Sequence, residues 1–215
     1  MGFFEWLWRL LRPRAAEPLA GHDPDNTRLI VGLGNPGPEY ADTRHNVGFR
    51  AVDELALRYN VPWQDKTDSL ASRVAVIHPN ESETIILAKP QIFMNRSGRA
   101  VKDLLEFLKL SPEQALIVYD DMDLPFGTLR LRERGSPGTH NGMRSVVSSL
   151  KIEDVPRLRI GIGQSSPGEA TNHVLSEFAP EDQQAVEELI QRAAEGALAW
   201  AEHGPVVAMN RYNKT

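Results

Sequence analysis

Residues 29–49 read Leu-Ile-Val-Gly-Leu-Gly-Asn-Pro-Gly-Pro-Glu-Tyr-Ala-Asp-Thr-Arg-His-Asn-Val-Gly-Phe, and this stretch sets the organisation of the chain. Its first three residues are apolar and largely β-branched, which predicts a buried strand that ends at Gly32. Pro36 and Pro38 then predict a loop, and an amphipathic helix is expected to begin near Val47. Polar side chains that follow a hydrophobic strand are typical of an active site on an α/β sheet. The loop carries five of them: Asn35, Tyr40, Arg44, His45 and Asn46.

The glycines of residues 32–37 also satisfy G-x-G-x-x-G, the dinucleotide-binding pattern. That pattern requires a helix to begin in the loop, so that its N-terminus can hold a pyrophosphate. Pro36 and Pro38 leave no room for such a helix. Asp53 has the spacing of the acidic residue in the pattern, but it lies inside a helical repeat rather than after a second strand. The sequence therefore disfavours a nucleotide site.

Length and composition indicate one soluble globular domain, since the chain has 215 residues, of which 41% are hydrophobic and 25% charged. The absence of cysteine excludes disulfides, thiol catalysis and zinc–thiolate sites, and it is compatible with a reducing cytoplasm. The six histidines show no H-E-x-x-H spacing, so we expect no metal and no other cofactor. No G-x-S-x-G nucleophile motif is present either.

The charge distribution is uneven along the chain. Residues 128–159 carry seven cationic side chains against three acidic ones, a local charge of 7 − 3 = +4, whereas the whole chain carries −5. A basic region on an acidic protein indicates a confined contact with an anion. The cations of this region are Arg130, Arg132, Arg134, Arg144, Lys151, Arg157 and Arg159.

The first 27 residues form a separate segment. Residues 3–12 are apolar except for Glu5, Arg9 and Arg12, which fall on one narrow helical stripe. The stretch is too short to cross a bilayer. Two interpretations stay open: a helix that lies weakly on a membrane surface, and a helix that docks on the protein or a partner. Residues 13–27 are interpreted as a linker, so that the folded domain spans residues 28–215.

The remainder of the chain alternates between strands and helices. Helices are predicted from near Val47, from after Gly98 to about Leu110, up to Leu150, and from about Pro180 to Glu202. This alternation predicts a single α/β domain with a mixed, partly parallel, twisted sheet flanked by helices. The other predicted strands are Ala71–Ile77, Thr84–Ala88, Ala115–Tyr119, Thr128–Arg132 and Arg157–Ile162.

Five polar residues follow or flank these strands: Asn35, His45, Asn95, Asp120 and Asn141. Each alone has an ordinary interpretation, as a turn former, a helix cap or, for Asp120 beside two further aspartates, a solvated turn or a metal cluster. Together they favour a hydrolase. A neutral histidine can take a proton from water, a buried carboxylate can stabilise the resulting imidazolium, and amides can bind a peptide backbone and an oxyanion.

The sequence resembles the bacterial peptidyl-tRNA hydrolase family over residues 28–212. Five separated motifs carry the resemblance in the same order: IVGLGNPGPEYADTRHNV (30–47), KPQIFMNRSG (89–98), VYDDMDLPFG (118–127), THNG (139–142) and RLRIGIG (157–163). The resemblance implies a mixed-sheet α/β fold and metal-independent cleavage of the ester that joins a peptide to the 3′ end of tRNA, which recycles tRNA from interrupted translation. It also implies a cytoplasmic monomer whose partner is peptidyl-tRNA and which needs no obligate protein partner.

By position in these motifs, His45 matches the catalytic histidine of the family and Asp120 matches the aspartate that partners it. Asn35, Asn95 and Asn141 match the amides that bind the substrate, and Asn35 is assigned to the catalytic set as well. A related plant-organelle protein acts in RNA splicing without hydrolysis, so an RNA-binding module is the alternative function. A general esterase is a third, but it leaves the basic region unexplained.

The resemblance also implies contacts to both ends of the substrate. Tyr40 matches a tyrosine near the tRNA 3′ end, and Met94 matches a residue that lines the peptide groove. Arg132 and Arg159 match a basic pair that holds the tRNA 5′-phosphate. The family often has a lysine at the position of Arg132, and because arginine can bind phosphate through two nitrogens, we expect the function to be retained. Two departures stand out: residues 135–139 replace a Gly- and His-rich stretch over the groove, and the first 27 residues have no counterpart.

Overall fold

A computed structural model describes Leu19, residues 22–66 and residues 70–213. Seven strands form one sheet: β1 Thr27–Gly32, β2 Gln64–Lys66, β3 Ser72–Ile77, β4 Thr84–Pro90, β5 Ala115–Asp121, β6 Leu129–Arg132 and β7 Arg157–Gly161. Their order across the sheet is β2-β3-β4-β1-β5-β7-β6. The strands β1, β4, β5 and β7 pair in parallel, while β2, β3 and β6 join in antiparallel fashion. The predicted mixed α/β sheet is therefore confirmed.

The central strands β1 and β5 are buried on both faces, which their nearly continuous apolar sequences require. Because β1, β4 and β5 are parallel, the loops that follow them leave the sheet at the same edge. The loops after β1 and β4 carry Asn35 and Asn95, and β5 ends on Asp120 and Asp121. The topology thus brings the predicted site residues to one edge of the sheet.

Helices cover both faces of the sheet. The helices are α1 Val47–Arg58, α2 Ser97–Leu108, α3 Asn141–Leu150, α4 Ala170–Leu175 and α5 Gln183–Tyr212, with 3₁₀ turns at Pro24–Asn26, Pro38–Tyr40, Arg44–Asn46, Met94–Arg96, Pro112–Gln114 and Pro180–Asp182. Helices α1 and α5 bury their apolar residues against one face, and α2 and α3 against the other. In the part of the chain that the structure describes, none of these helices has the length and apolar character needed to cross a membrane.

Several elements differ from the sequence predictions. Neither β2 nor α4 was predicted, and β4 extends to Pro90, into the segment predicted as a loop. The last helix was expected to end at Glu202, but the chain turns at Gly204, whose φ is 80°, and resumes a helical path to Tyr212. Pro205 follows the turn at the start of this second part, where a missing N–H costs little.

The predicted amphipathic helix of residues 3–12 lies outside the described residues, as does most of the predicted linker. The described end of that linker contacts the domain. Leu19 is buried in the same apolar cluster as Leu108, and the His22 ring hydrogen-bonds the carbonyls of Leu19 and Leu108 at 2.7 and 2.9 Å. Leu19 and His22 therefore both contact the domain.

Candidate active site

Close packing of backbone fixes the position of the segment that carries His45. A Cβ atom on Gly32 would lie 2.2 Å from the carbonyl oxygen of Gly48, and one on Gly48 would lie 2.4 Å from the carbonyl oxygen of Val118. Only glycine allows α1 to begin this close to β1 and β5. The G-x-G spacing at residues 32–34 therefore serves close packing, and His45, just before α1, is held beside the end of β5.

One carboxylate oxygen of Asp120 joins two histidines. Asp120 Oδ1 lies 2.8 Å from His45 Nδ1 and 2.9 Å from His140 Nε2. Asp120 is only 1% exposed and His45 7%, so water does not compete for these hydrogen bonds. The two imidazole rings meet edge to face, with 5.1 Å between their centroids. The predicted pairing of His45 with Asp120 thus has the distance and burial that the chemistry requires.

The hydrogen bonds also determine which ring nitrogens carry protons. An ionised carboxylate only accepts, so His45 Nδ1 and His140 Nε2 must both donate to Asp120. His140 Nδ1 accepts from the backbone N–H of Met143 at 3.0 Å, which makes His140 neutral with its proton on Nε2. With Nδ1 of His45 protonated, its Nε2 presents a lone pair when the ring is neutral. This nitrogen is available to take a proton.

Asp120 stays ionised despite its burial. Desolvation alone would raise its pKa, but the electrostatic attraction between the carboxylate and the polar His140 and His45 rings, together with the hydrogen bonds that they donate, outweighs that effect and holds the pKa well below the usual range. The carboxylate is therefore present as an acceptor throughout the working pH range. It can stabilise positive charge on the His45 ring without itself taking up a proton.

Asn35 is held in one orientation by the loops around it. Its Oδ1 accepts from the Met94 backbone N–H at 2.9 Å. Its backbone N–H donates to Asn46 Oδ1 at 2.8 Å, and its carbonyl accepts from Asn46 Nδ2 at 3.0 Å. Because Oδ1 is occupied by Met94, the Asn35 amide is oriented to use its N–H groups as donors elsewhere.

The remaining predicted groove residues lie around this centre. Met94 is buried against Gly142, where a Cβ atom would lie 2.5 Å from the Met94 sulfur. Tyr40 and Phe93 contact edge to face across the gap between their loops, with centroids 6.5 Å apart. Asn95 is exposed directly after Met94, so its amide is available to a ligand.

A cavity of about 460 Å³ connects the histidine cluster to the basic region. Five of the nine predicted site residues line it, namely His45, Asp120, Asn141, Arg132 and Arg159. The other four, Asn35, Tyr40, Met94 and Asn95, lie on the loops that follow β1 and β4. The predicted residues therefore form two groups, one that lines this cavity and includes His45 and Asp120, and one on the loops after β1 and β4.

The cationic residues of this cavity differ in their exposure and in whether an acidic partner already binds them. Arg132 is exposed, whereas Arg159 is half-buried and donates from Nε to Asp121 Oδ2. Asp121 is the neighbour of Asp120 and accepts the Asp123 N–H through its other oxygen at 2.8 Å. The ion pair fixes the Arg159 guanidinium and leaves its two terminal nitrogens for an anion.

Arg157 is a buried cation that organises the loop of residues 135–139. It is 1% exposed and donates to four carbonyls, those of Gly135, Ser136, Glu153 and Val155. Arg144 binds the far end of the same loop through the carbonyl of Gly138 at 2.9 Å. The loop that departs from the family pattern is thus attached at both ends.

Tyr119 completes the wall behind His140. Its ring packs on the His140 ring with centroids 4.6 Å apart, and burial raises its pKa to about 12. The phenol therefore remains neutral at physiological pH. It holds the His140 ring against Asp120 by packing, without adding charge to the cluster.

Within the described residues, the one group that could hold a metal ion is His45, Asp120 and His140, whose ligand atoms lie within 4.8 Å of one another. These atoms already hydrogen-bond to each other, and the neutral His140 is fixed by Met143. A metal would have to replace both hydrogen bonds to Asp120. Asp121 and Asp123 were considered as metal ligands from the sequence, but both carboxylate oxygens of Asp121 already accept hydrogen bonds, one from Arg159 Nε and one from the Asp123 backbone N–H.

Sequence reasoning missed two residues of this site, His140 and Asn46. Asn46 is buried and orients Asn35, although the sequence placed it only in the same loop. His140 immediately precedes Asn141 at the start of a predicted helix. That position is a signal, because the side chain before a helix is well placed to accept a backbone N–H. Its contact with Asp120 depends on the tertiary arrangement of β5 and α3.

Comparison with known proteins gives consistent results. Residues 29–215 match the family model described as peptidyl-tRNA hydrolase. The peptidyl-tRNA hydrolase of Chloroflexus aggregans is 48% identical over 188 residues, covering 86% of this chain and 98% of the relative. That of Listeria welshimeri is 42% identical over 187 residues, covering 86% of this chain and all of the relative.

Solved structures show the same similarity. The crystal structure of peptidyl-tRNA hydrolase from Acinetobacter baumannii superposes with a TM-score of 0.81 at 35% identity. The superposition covers 90% of this chain and 97% of the Acinetobacter chain. The similarity therefore extends over the whole sheet and its helices.

Proposed function

Since the chain belongs to the peptidyl-tRNA hydrolase family, we propose that His45 activates the water that cleaves its substrate and that Asp120 assists. The reaction is the hydrolysis of the ester that joins a peptide to tRNA. The observation that carries the proposed mechanism is the pair of hydrogen bonds to Asp120 Oδ1, at 2.8 Å from His45 and 2.9 Å from His140. This arrangement leaves His45 Nε2 as the proton acceptor of the cluster.

In the proposed reaction, His45 Nε2 removes a proton from water as the water oxygen attacks the ester carbonyl carbon. The carbonyl oxygen becomes an oxyanion, and the charged imidazolium is stabilised by the ionised Asp120. As the ester bond breaks, His45 Nε2 returns the proton to the departing ribose oxygen. The products are a peptide carboxylate and tRNA with a free 3′-terminal ribose.

The amide side chains are assigned to substrate binding. Asn35, whose Oδ1 is occupied by the Met94 N–H, presents its N–H groups and is the proposed donor to the oxyanion. Asn95 and Asn141 are exposed beside the buried cluster and are proposed to bind the peptide backbone. Met94 would line the peptide groove, and Tyr40 would lie near the tRNA 3′ end.

The arginines across the cavity are assigned to the tRNA. Arg132 and Arg159 are proposed to hold the 5′-phosphate, with Asp121 orienting Arg159. Arginine suits this task because its planar guanidinium can bind phosphate through two nitrogens. The cavity that links these residues to His45 supports the proposal, because the 5′ and 3′ termini of tRNA lie at the same end of its acceptor stem.

The test is the release of free tRNA from an N-blocked peptidyl-tRNA, with unblocked aminoacyl-tRNA as the control substrate. We expect rapid cleavage of the first and little of the second, and full activity after dialysis against EDTA. Cleavage of small esters at a comparable rate would instead support a general esterase. Binding of peptidyl-tRNA without cleavage would support the alternative of an RNA-binding module.

We further propose that the enzyme acts as a cytoplasmic monomer without an obligate protein partner. The lack of cysteine and the tRNA substrate support the cytoplasmic assignment. Residues 3–12 are proposed to make a weak contact with a membrane surface or a partner, outside the catalytic domain of residues 28–215. Cell fractionation of the full-length and truncated chains tests this assignment.

A further inference from the structure

Strand β6 carries Arg132, but its pairing with the neighbouring strand β7 is short and places like charges opposite each other. Strand β6 has only four residues and lies at the edge of the sheet, and among the described strands it pairs only with β7. Across this pair, Arg130 is opposite Arg159, and Arg132 is opposite Arg157. Like charges directly opposite each other weaken the pairing of two strands. The strand that presents Arg132 therefore needs an additional attachment.

Asn213 supplies that attachment from the outer side. Its Oδ1 accepts the Leu131 N–H at 2.6 Å, and its Nδ2 donates to the Leu131 carbonyl at 3.1 Å. Its own carbonyl accepts from Arg130 Nη1 at 2.9 Å. The two polar groups of one residue in an antiparallel strand point to the same side, so those of Leu131 point away from β7. A single side-chain amide thus occupies the place of a missing neighbouring strand.

The position of Asn213 is itself fixed. It follows α5 directly, and its N–H donates to the Met209 carbonyl at 3.0 Å, which continues the helical pattern. The end of α5 is therefore connected to Arg130 and Leu131, the two residues immediately before Arg132 on β6. Helix α5 contributes no residue to the cavity that contains the catalytic cluster.

We infer that Asn213 is a positioning residue for tRNA binding, which holds β6 so that Arg132 is already placed for the phosphate. The inference rests on the proposed role of Arg132. Without Asn213, the edge of β6 at Leu131 loses both its partners, and repulsion between the paired arginines is no longer opposed there. Arg132 would then have to be ordered when the tRNA binds, and that cost lowers affinity.

The experiment compares Asn213→Ala with Asn210→Ala, an exposed asparagine on the last turn of the same helix. We expect Asn213→Ala to raise KM for peptidyl-tRNA by about threefold to tenfold, with kcat unchanged. Asn210→Ala should leave both constants unchanged. If the alanine variant does not fold, Asn213→Ser is measured instead. Serine keeps a polar side chain at this position but has no amide group to make the two hydrogen bonds to Leu131.

A double-mutant cycle separates this role from a general loss of stability. In an Arg132→Ala background, or with substrate lacking the 5′-phosphate, Asn213→Ala should raise KM no further. A rise that persists undiminished in that background, or an unchanged KM in Asn213→Ala alone, would overturn the role of Asn213. An unchanged KM in Arg132→Ala itself would overturn the phosphate-binding proposal, and this inference with it.

Discussion

The two sides of the cavity are built in different ways. On one side, His45 and Asp120 are buried, His140 is half-buried, and the two histidines bind Asp120 through hydrogen bonds of 2.8–2.9 Å. On the other side, Arg132 is exposed on an edge strand and Arg159 is half-buried. A buried hydrogen-bonded group has no water to replace a lost partner, whereas exposed cations share the binding of a charged ligand. Catalysis and affinity should therefore respond to different mutations.

The largest effect is expected from His45→Ala, which removes the proposed base. We expect kcat to fall by about 10²- to 10⁴-fold, the usual contribution of a general base. Affinity for the tRNA should be unchanged, since the arginines remain. Single-turnover cleavage and equilibrium binding of peptidyl-tRNA measure the two quantities. Near-normal turnover in this variant would show that His45 has only a structural role.

The counterpart on the basic side is the double variant Arg132→Ala with Arg159→Ala. Loss of two charge-assisted contacts should raise KM by roughly 10- to 100-fold, because the phosphate is bound equally before and during the reaction. The dependence of binding on salt should also become less steep. Substrate without the 5′-phosphate should reproduce the change in the unmodified enzyme. A loss of kcat with KM intact would contradict the separation of the two sides.

A smaller loss of kcat is expected from His140→Ala. This variant tests whether the hydrogen bond from His140 to Asp120 contributes to catalysis by His45. Asp120 would keep His45 but lose its second donor, so we expect kcat to fall by about tenfold with KM unchanged. His140→Asn, measured beside it, retains an N–H donor in the same position and should recover part of the activity. Equal losses in both variants would indicate that donation to Asp120 is not the role of His140.

The buried cluster should also contribute stability that depends on pH. The pKa of Asp120 in the folded protein lies below its unfolded value of about 3.8. The stability that the ionised Asp120 carboxylate contributes to the fold is therefore fully present above pH 3.8 and is lost as the pH falls below it. Urea unfolding of the wild type and Asp120→Asn between pH 7 and 3 should show a stability difference that narrows only in acid. If the stability difference between the wild type and Asp120→Asn instead widened in acid, the pKa of Asp120 would not be lowered by folding.

The smallest effect is expected at the N-terminus, which belongs to neither side. Deletion of residues 1–18 should leave kcat and KM unchanged. Deletion of residues 1–26 also removes the buried Leu19 and the His22 hydrogen bonds, and it should lower the free energy of unfolding by roughly 1–3 kcal/mol. Activity of the folded protein should survive both deletions. A tenfold loss of activity in the shorter deletion would place that segment in the active site.

Much of the fold could be predicted because its strands have strong apolar sequences. The predicted segments Thr84–Ala88 and Ala115–Tyr119 lie inside β4 and β5, which are buried across the sheet. By contrast, Gln64–Lys66 contains no apolar residue and becomes a strand only through pairing with β3. Gly204 and Pro205 signalled a break in the last helix, but such residues do not reveal whether the helix resumes beyond them.

In the site, too, the sequence predicted residues that lie in motifs but not contacts between distant elements. His45 and Asp120 could be selected because motifs mark them, and the structure brings their side chains together. The roles of His140, Arg157 and Asn213 arise from contacts between elements distant in sequence. Arg157 in particular belongs to the basic region that was predicted to contact an anion, yet its charge is buried among backbone carbonyls, where it holds the loop of residues 135–139. Composition alone does not distinguish such a residue from a ligand-binding cation.

The strand order also governs when this protein acquires activity during its own synthesis. His45 and Asp120 are separated by 75 residues, and Asp120 and His140 by 20 more. Strand β5 lies between β1 and β7, so its buried edges are satisfied only after β7 has left the ribosome. A chain whose translation stops earlier lacks part of the central sheet. We therefore expect an incomplete copy of this peptidyl-tRNA hydrolase to have no activity.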